Sequence, residues 1–367
     1  MSQLQQLIND LCPNGVEWKT LGDVLVIKNG RDYKKFGEGN IPVYGSGGVM
    51  TYIDTAAFDK PSVLIPRKGS LDKLYYVDVP FWNVDTIFYT DIDTTCVEPK
   101  YVYYYLQSQH LERLNNAGGV PSLTQSILNE VPIPVPPLAV QREIVRILDN
   151  FTELTAELTA ELTAELTARK KQYEYYRDQL LSFTDKRGGV QLVKLEEIAE
   201  IGTGSSNTNE GLEEGLYPFY VRSQEPLRKN SYEYDETAII TAGDGVGVGK
   251  VFHYVEGKYA LHQRAYRIHI TDSRVLPKYY FYYMKQVFLP YIQKTMYQGS
   301  VASIRRPMLN AFLVAVPSLE EQARIVKILD RFDALCNDLT EGLPAEIEAR
   351  KKQYEHYRDK LLTFDAC

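Results

Sequence analysis

The sequence is short of the features that mark several large protein classes. Its four cysteines, Cys12, Cys96, Cys336 and Cys367, stand far apart with no C-x-x-C pair. That spacing argues against a disulfide framework or a thiolate zinc site and for reduced thiols in the cytoplasm. No apolar run approaches the roughly 20 residues that a membrane span needs, so no membrane association is expected. Met1-Ser2-Gln3-Leu4 opens without a basic segment or an apolar stretch, so no secretory signal is expected either. Positive charge is also short: 41 Lys and Arg stand against 48 Asp and Glu, a net charge of −7. Bulk charge alone therefore does not mark a nucleic-acid binder.

Catalytic motifs are missing too. The run from Gly243 to Lys250 looks like a phosphate loop, but Lys250 precedes Val251 rather than Ser or Thr, and Asp244 occupies the first glycine position. It reads as a glycine-rich turn between strands. Glu98-Pro99-Lys100 and Glu256-Gly257-Lys258 match the E-x-K triplet of some nucleases, without a partner Asp on a clear strand pair. No Asn-Pro-Pro-Phe/Tyr sequence marks an amino-methyltransferase. His253, His262 and His269 lack the close spacing and the acidic or thiolate partner of a metal site. No catalytic residue and no metal site are assigned.

What the sequence does contain is a repeat. Residues 168–183 recur at 349–364 with thirteen of sixteen positions identical, an offset of 181 from 168 to 349. Upstream, Pro136, Leu138, Gln141, Ile144, Leu148, Asp149 and Phe151 recur as Pro317, Leu319, Gln322, Ile325, Leu329, Asp330 and Phe332 at the same offset. Weaker matches open each half, at Leu21 and Leu195 and at Pro99 and Pro277. The chain is a tandem duplication whose helices stayed similar while its globular parts diverged.

Each half begins with β-branched and aromatic residues broken by Gly and Pro turns, with short buried strands expected at Val63–Ile65 and Ile239–Ile240. Tyr-rich helices follow Pro99 and Pro277, where proline suits the first turn. Their tyrosines are expected to pack against a sheet with the hydroxyl at its edge. A long helix closes each half. No Gly or Pro interrupts 138–183, a span of roughly 65–70 Å as helix. Thr-Ala-Glu-Leu units recur there with Leu154, Leu158, Leu162 and Leu166 four apart. Ser318-Leu319-Glu320-Glu321 forms a capping box, and Gly342-Leu343-Pro344 breaks the second long helix. The expected fold class is α+β: two pseudo-symmetric mixed α/β domains separated by two long antiparallel helices that pair as a coiled-coil-like spacer.

Loops that combine cations with glycine are the candidate DNA contacts, because Arg, Lys, Asn and Gln read base edges or hold phosphates. In the first half these are Lys28, Arg31, Lys34 and Lys35, then Tyr44, Ser46 and Gly47, then Arg67 and Lys68. In the second half they are Ser205 and Asn207, Arg222 and Gln224, His262, Gln263 and Arg264, and Arg305 and Arg306.

The duplicated Ala-Arg-Lys-Lys-Gln-Tyr-Glu segments, the Ile-Val-Arg/Lys-Ile-Leu-Asp segments and the Thr-Ala-Glu-Leu units resemble the specificity subunits of type I restriction–modification systems. So do Ile41–Gly48 and Val63–Gly69. The resemblance implies target-recognition domains at 1–137 and 185–317, a central conserved spacer helix at 138–184, and a C-terminal conserved helix at 318–367. It implies that each domain reads one half of an asymmetric, bipartite double-stranded DNA target. The helices would set the spacer and dock two methyltransferase subunits, and two motor–nuclease subunits would complete the enzyme. S-adenosylmethionine, ATP and Mg would belong to those partners, with no cofactor in this chain. The assembled complex would be an adenine-specific DNA methyltransferase and an ATP-dependent endonuclease. The alternatives are a helical scaffold that does not read sequence and a fused nuclease or methyltransferase.

Overall fold

A computed structural model describes residues 3–114, 122–183, 190–295, 303–338 and 340–364. Met1, Ser2, Cys367 and the expected boundary between 184 and 185 lie outside the described residues. Two compact units emerge, Met1–Leu162 with Ile347–Cys367, and Thr163–Glu346.

The first unit opens with helix α1 (Gln3–Leu11) and strand β1 (Trp18–Thr20), followed by the turn α2 (Leu21–Val24) and strand β2 (Leu25–Asn29). Strands β3 (Glu38–Gly45), β4 (Gly48–Ile53), β5 (Ser62–Pro66), β6 (Tyr75–Val77), β7 (Trp82–Asn83) and β8 (Ile87–Ile92) build two small sheets, ordered β2-β8-β5-β6 and β4-β3-β7. Every residue of β5 is buried, as its unbroken apolar run predicts. Helix α3 (Pro99–Ser108) starts on its proline, and α4 (Gln125–Asn129) is capped by the Thr124 hydroxyl. Strand β9 (Pro132–Pro134) then pairs antiparallel with β1. Helix α5 runs unbroken from Leu138 to Leu181 and contributes residues to both units.

The second unit repeats the plan. Strand β10 (Gln191–Lys194) leads through α6 (Leu195–Ile198) into β11 (Ala199–Thr203). With β12 (Tyr217–Tyr220), β13 (Leu227–Lys229), β14 (Tyr234–Ala242), β15 (Phe252–Leu261) and β16 (Ala265–Ile270) it forms one sheet ordered β11-β16-β14-β15-β12-β13. Helix α7 (Pro277–Thr295), the short α8 (Arg306–Asn310) and β17 (Leu313–Val316) follow, and β17 pairs antiparallel with β10. Helix α9 (Leu319–Asn337) is capped by the Ser318 hydroxyl, which accepts the Glu321 N–H at 3.3 Å. The Glu321 carboxylate is held by Arg324 at 2.7 Å. The chain breaks before α10 (Leu343–Leu361), at the expected Gly-Leu-Pro.

The repeated residues do the same work twice. Gln141 is fully buried; its Oε1 accepts the Glu98 N–H at 2.8 Å, and its Nε2 donates to the Cys96 and Pro136 carbonyls at 2.9 and 2.7 Å. Gln322, also fully buried, accepts the Leu276 N–H and donates to the Arg274 and Pro317 carbonyls, all at 2.8 Å. Asp149 takes Lys100 at 2.9 Å and the Tyr104 hydroxyl at 2.7 Å. Asp330 takes Lys278 at 3.8 Å and the Tyr282 hydroxyl at 2.5 Å. Tyr101 and Tyr105 donate to the Pro134 and Pro132 carbonyls of β9, and Tyr279 and Tyr283 donate to Ala315 and Leu313 of β17. The tyrosine runs thus fasten each helix to the strand pair beneath it.

Within each unit α5 has an antiparallel neighbour. In the first, Phe151 meets Tyr357 at 6.2 Å between ring centroids, and Thr152 bonds Tyr354 at 2.9 Å on α10. In the second, Tyr173 and Tyr176 close on Phe332 of α9 at 6.2 and 5.8 Å. The leucine stripe is only partly covered: Leu154 remains 60% exposed and Leu158 37%. These two line an open cleft of about 380 Å³ between α5 and α10, together with Phe151, Tyr354 and Tyr357.

Candidate nucleic-acid interface

In the first unit the β3–β4 turn and the loop after β5 meet. Gly69 takes a φ of +85°, and a side chain there would touch the Ser46 hydroxyl. Thr86 ties both loops: its carbonyl accepts the Arg67 and Lys68 N–H groups at 2.9 and 3.3 Å, and its hydroxyl accepts the Ser46 N–H at 3.4 Å. The Tyr75 hydroxyl donates to the Ser46 carbonyl at 3.2 Å. Gly47 sits exposed in open space, and Lys68 is exposed as well. Arg67 is half-buried, its guanidinium 5.8 Å from the Phe88 ring centroid. Tyr44 turns inward against Tyr75 and Phe81, and burial raises its pKa.

Arg31, Lys34 and Lys35 lie exposed on the neighbouring loop, held by the Arg31 N–H to the Asn83 carbonyl and by the Trp82 indole to the Arg31 carbonyl, both at 2.9 Å. Gly30 is required there, because a Cβ would collide with the Val84 carbonyl at 2.1 Å. Lys28 is not free in the same sense. Its ammonium bonds Asp91 at 2.7 Å, which raises its pKa, and it lies near the Phe58 and Tyr89 rings.

In the second unit Arg222 and Arg264 converge on one carboxylate. Asp244 takes Arg222 at 2.7 Å and Arg264 at 3.1 Å. Burial acts to raise the Asp244 pKa, but the two arginines outweigh it and hold the group below the ordinary carboxylate value. Gln263 hydrogen-bonds Asn207, and its N–H meets the Ser206 carbonyl at 2.9 Å. His262 is buried, and its Nδ1 accepts the Arg264 N–H at 2.9 Å. Burial and then the Arg222 charge lower its pKa. Arg305 lines a cleft of about 260 Å³ with Asp244, Gln263 and Arg264. Arg306 instead reaches back to the Ile201 carbonyl at 2.6 Å. Ser205 and Gln224 are exposed, and the Ser205 N–H is taken by Glu233 at 2.9 Å.

The two units share one backbone frame. Strands β3 and β7 pair parallel at Tyr44–Asn83, and β12 and β15 at Tyr220–Leu261. The Tyr44 carbonyl accepts the Val84 N–H at 2.9 Å, as Tyr220 accepts His262 at 2.9 Å. The Thr86 carbonyl accepts Arg67, as Arg264 accepts Gly243 at 2.8 Å. Lys68 bridges Ser122, as Asp244 bridges Ser303. Ser46, Lys68 and Thr86 therefore correspond to Arg222, Asp244 and Arg264. The frame is kept and the side-chain chemistry is exchanged.

Comparison with known proteins identifies this doubled frame. The family model described as the type I restriction modification DNA specificity domain matches twice, over residues 13–168 and 188–349. The chain belongs to the type I specificity subunits. This specificity subunit is 34% identical over 405 residues to the EcoR124I/EcoR124II specificity subunit of Escherichia coli, covering 99% of this chain and 97% of the relative. Its fold resembles the S subunit of a type I system from M. genitalium, with a TM-score of 0.53 and 18% identity over 96% of this chain and 98% of that one. It also resembles a chain from a structure of type I restriction–modification complex assembly, with a TM-score of 0.68 and 17% identity over 95% and 98%. As a specificity subunit the chain confers DNA specificity, is itself non-catalytic and requires no cofactor of its own. No helix among the described residues is long and apolar enough to cross a membrane.

Three contributors escaped the sequence reading. Asn83 acts through its main-chain carbonyl, which leaves no mark on residue type, and Thr86 acts through its carbonyl and through a hydroxyl that no motif singles out. Asp244 was visible only as part of a glycine-rich turn, and its role follows from where that turn places it.

Proposed function

We propose that each unit reads one half of an asymmetric, bipartite double-stranded DNA target. The observation that carries this is the exchange of Ser46, Lys68 and Thr86 for Arg222, Asp244 and Arg264 on one frame. A common frame suits two equivalent approaches to a duplex, and different side chains suit different base edges. Arg31, Lys34, Lys35, Ser46, Gly47, Arg67 and Lys68 face the first half-site. Ser205, Asn207, Arg222, Gln224, Gln263, Arg264 and Arg305 face the second. Lys28, Tyr44, His262 and Arg306, whose polar groups or rings are engaged within the fold, hold these loops in place.

The reading domains span 1–137 and 185–317; the spacer segment 138–184 carries α5, and the C-terminal segment 318–367 carries α9 and α10 in place of a single helix. The repeats on α5 set the number of unread pairs, one unit adding ~6 Å of helix, about two base-pair steps of ~3.4 Å. The cleft beside Leu154 and Leu158 receives an apolar helix of a modification subunit. Two such subunits supply S-adenosylmethionine chemistry, two motor–nuclease subunits supply ATP and Mg, and the assembly works in the cytoplasm. Modified-base sequencing of genomic DNA, with and without this chain beside its partners, tests the reading. The expected result is adenine methylation at one split, asymmetric motif. A continuous palindrome, or methylation indifferent to the chain, would overturn it.

A further inference from the structure

The glycine-rich turn of the second unit has a purpose that its motif does not announce. Gly245 adopts a φ of +83°, where a β-carbon is strained. Gly247 packs so closely on Arg222 that a Cβ would sit 2.5 Å from the Arg222 carbonyl. Only glycine lets this turn lie against Arg222, and that contact delivers the Asp244 carboxylate to the Arg222 guanidinium at 2.7 Å. On the other side, the Gly243 N–H on the Arg264 carbonyl and the Arg264 N–H on His262 Nδ1 fix the backbone of Arg264.

The exposures run outward. The Asp244 side chain is 20% exposed, Arg222 40% and Arg264 62%. A guanidinium carries five donors in a rigid fork, and each arginine gives a single Nη1 to Asp244. No further hydrogen bond of either guanidinium is seen among the described residues, which leaves its remaining donors for a ligand. A flexible arginine on a surface loop can follow a phosphate wherever the backbone presents it, and that contact carries no sequence information. An arginine pinned by a carboxylate has its fork pre-set and its charge partly cancelled. Both effects weaken phosphate contact relative to bidentate contact with a base edge, for which the fork's partner is guanine O6 and N7. The first unit has no such arrangement at this place: Lys68 stands where Asp244 does, between Ser46 and Thr86.

We propose that Asp244 is a specificity-determining positioning residue, which aims Arg222 and Arg264 at guanine edges in the half-site read by the second unit. This rests on the proposal that each unit reads one half-site. Asp244 touches no base; it acts through the two arginines. The N-terminal half-site should be indifferent to it.

The experiment uses the full chain with its methyltransferase partner and reads the methylated motif by modified-base sequencing. Asp244→Asn keeps the shape of the side chain and removes its charge. Preference at one or two G·C positions of a single half-site should fall about tenfold or more, while the other half-site is unchanged. Asp244→Glu, which keeps the charge on a longer arm, should disturb the same positions less, and it carries the test if the Asn variant does not accumulate. A uniform fall in methylation at all sites, with base preference intact, would mark a merely structural role and overturn the inference. So would relaxation confined to A·T positions. The double variant Arg222→Ala, Arg264→Ala separates the two levels. If it alters one half-site while both Asp244 variants do not, the positioning role fails and the reading of half-sites stands. If the double variant also leaves both half-sites intact, the reading through these loops fails.

Discussion

Gln141 receives the backbone N–H of Glu98 at 2.8 Å, and through the same side chain it ties the start of α3 to the start of α5. The equivalent Gln322 does this between α7 and α9. Each glutamine is fully buried, and its bond to the Pro136 or Pro317 carbonyl is buried with it, so water does not readily take its place there. Gln141→Leu or Gln322→Leu leaves one N–H and two carbonyls unpaired. The expected loss is on the order of 3 kcal/mol from the unit concerned, seen as a lower urea midpoint with the half-site preferences intact. An unchanged midpoint would contradict it.

The duplication made this pair legible in the sequence, since Gln141 and Gln322 sit at the same offset as the helices around them. The absence of Gly and Pro from 138–183 exposed the long α5, and Gly342-Leu343-Pro344 exposed the break before α10. The reading loops were harder. Their residue types suggested contact, but the frame that arranges them runs through carbonyls of Asn83, Thr86, Leu261 and Arg264. Backbone carbonyls are identical in every residue, so no pattern of side chains could disclose them. Lys28 reads like Lys34 in the sequence, because Asp91 lies 63 residues away and only the pairing of β2 with β8 brings it to the ammonium.

Arg67 lies half-buried over Phe88, on the loop that Thr86 anchors. Arg67→Glu should weaken cognate DNA binding by ~1–3 kcal/mol if the contact is to a base. Competition binding with half-site variants checks this, and unchanged affinity removes Arg67 from the interface.

Removal of residues 159–162 shortens α5 by about one turn without changing either reading domain. The methylated motif should keep both half-sites and lose unread base pairs between them. Altered bases in a half-site would refute the spacer role.

Leu154, at 60% exposure, is costly to leave in water. Leu154→Asp places a charge in the cleft where a partner helix is proposed to lie. Co-purification with the methyltransferase subunit should drop sharply, while the variant chain's own thermal midpoint stays within a degree or two. Undiminished co-purification would exclude the cleft as a docking site.

Burial keeps His253 and His262 below the ordinary histidine pKa of 6.5. The unfolded chain takes up protons near that value while the folded chain resists them. Stability of the second unit should therefore be level above about pH 6.5, fall as the pH drops below it, and flatten again beneath the folded pKa values. Urea midpoints at pH 7.5 and pH 5.5 test this, and His262→Asn should narrow the difference between them. Equal midpoints in the parent chain would contradict the prediction.

The shared frame is held largely by main-chain hydrogen bonds. Substitutions at Ser46 or Lys68 therefore encounter a low stability barrier, whereas Arg222 and Arg264 are free to change only together with Asp244, the mostly buried carboxylate they neutralise. Such a scaffold lets new target sequences be sampled by mutation while the folded state is conserved, which makes recognition evolvable.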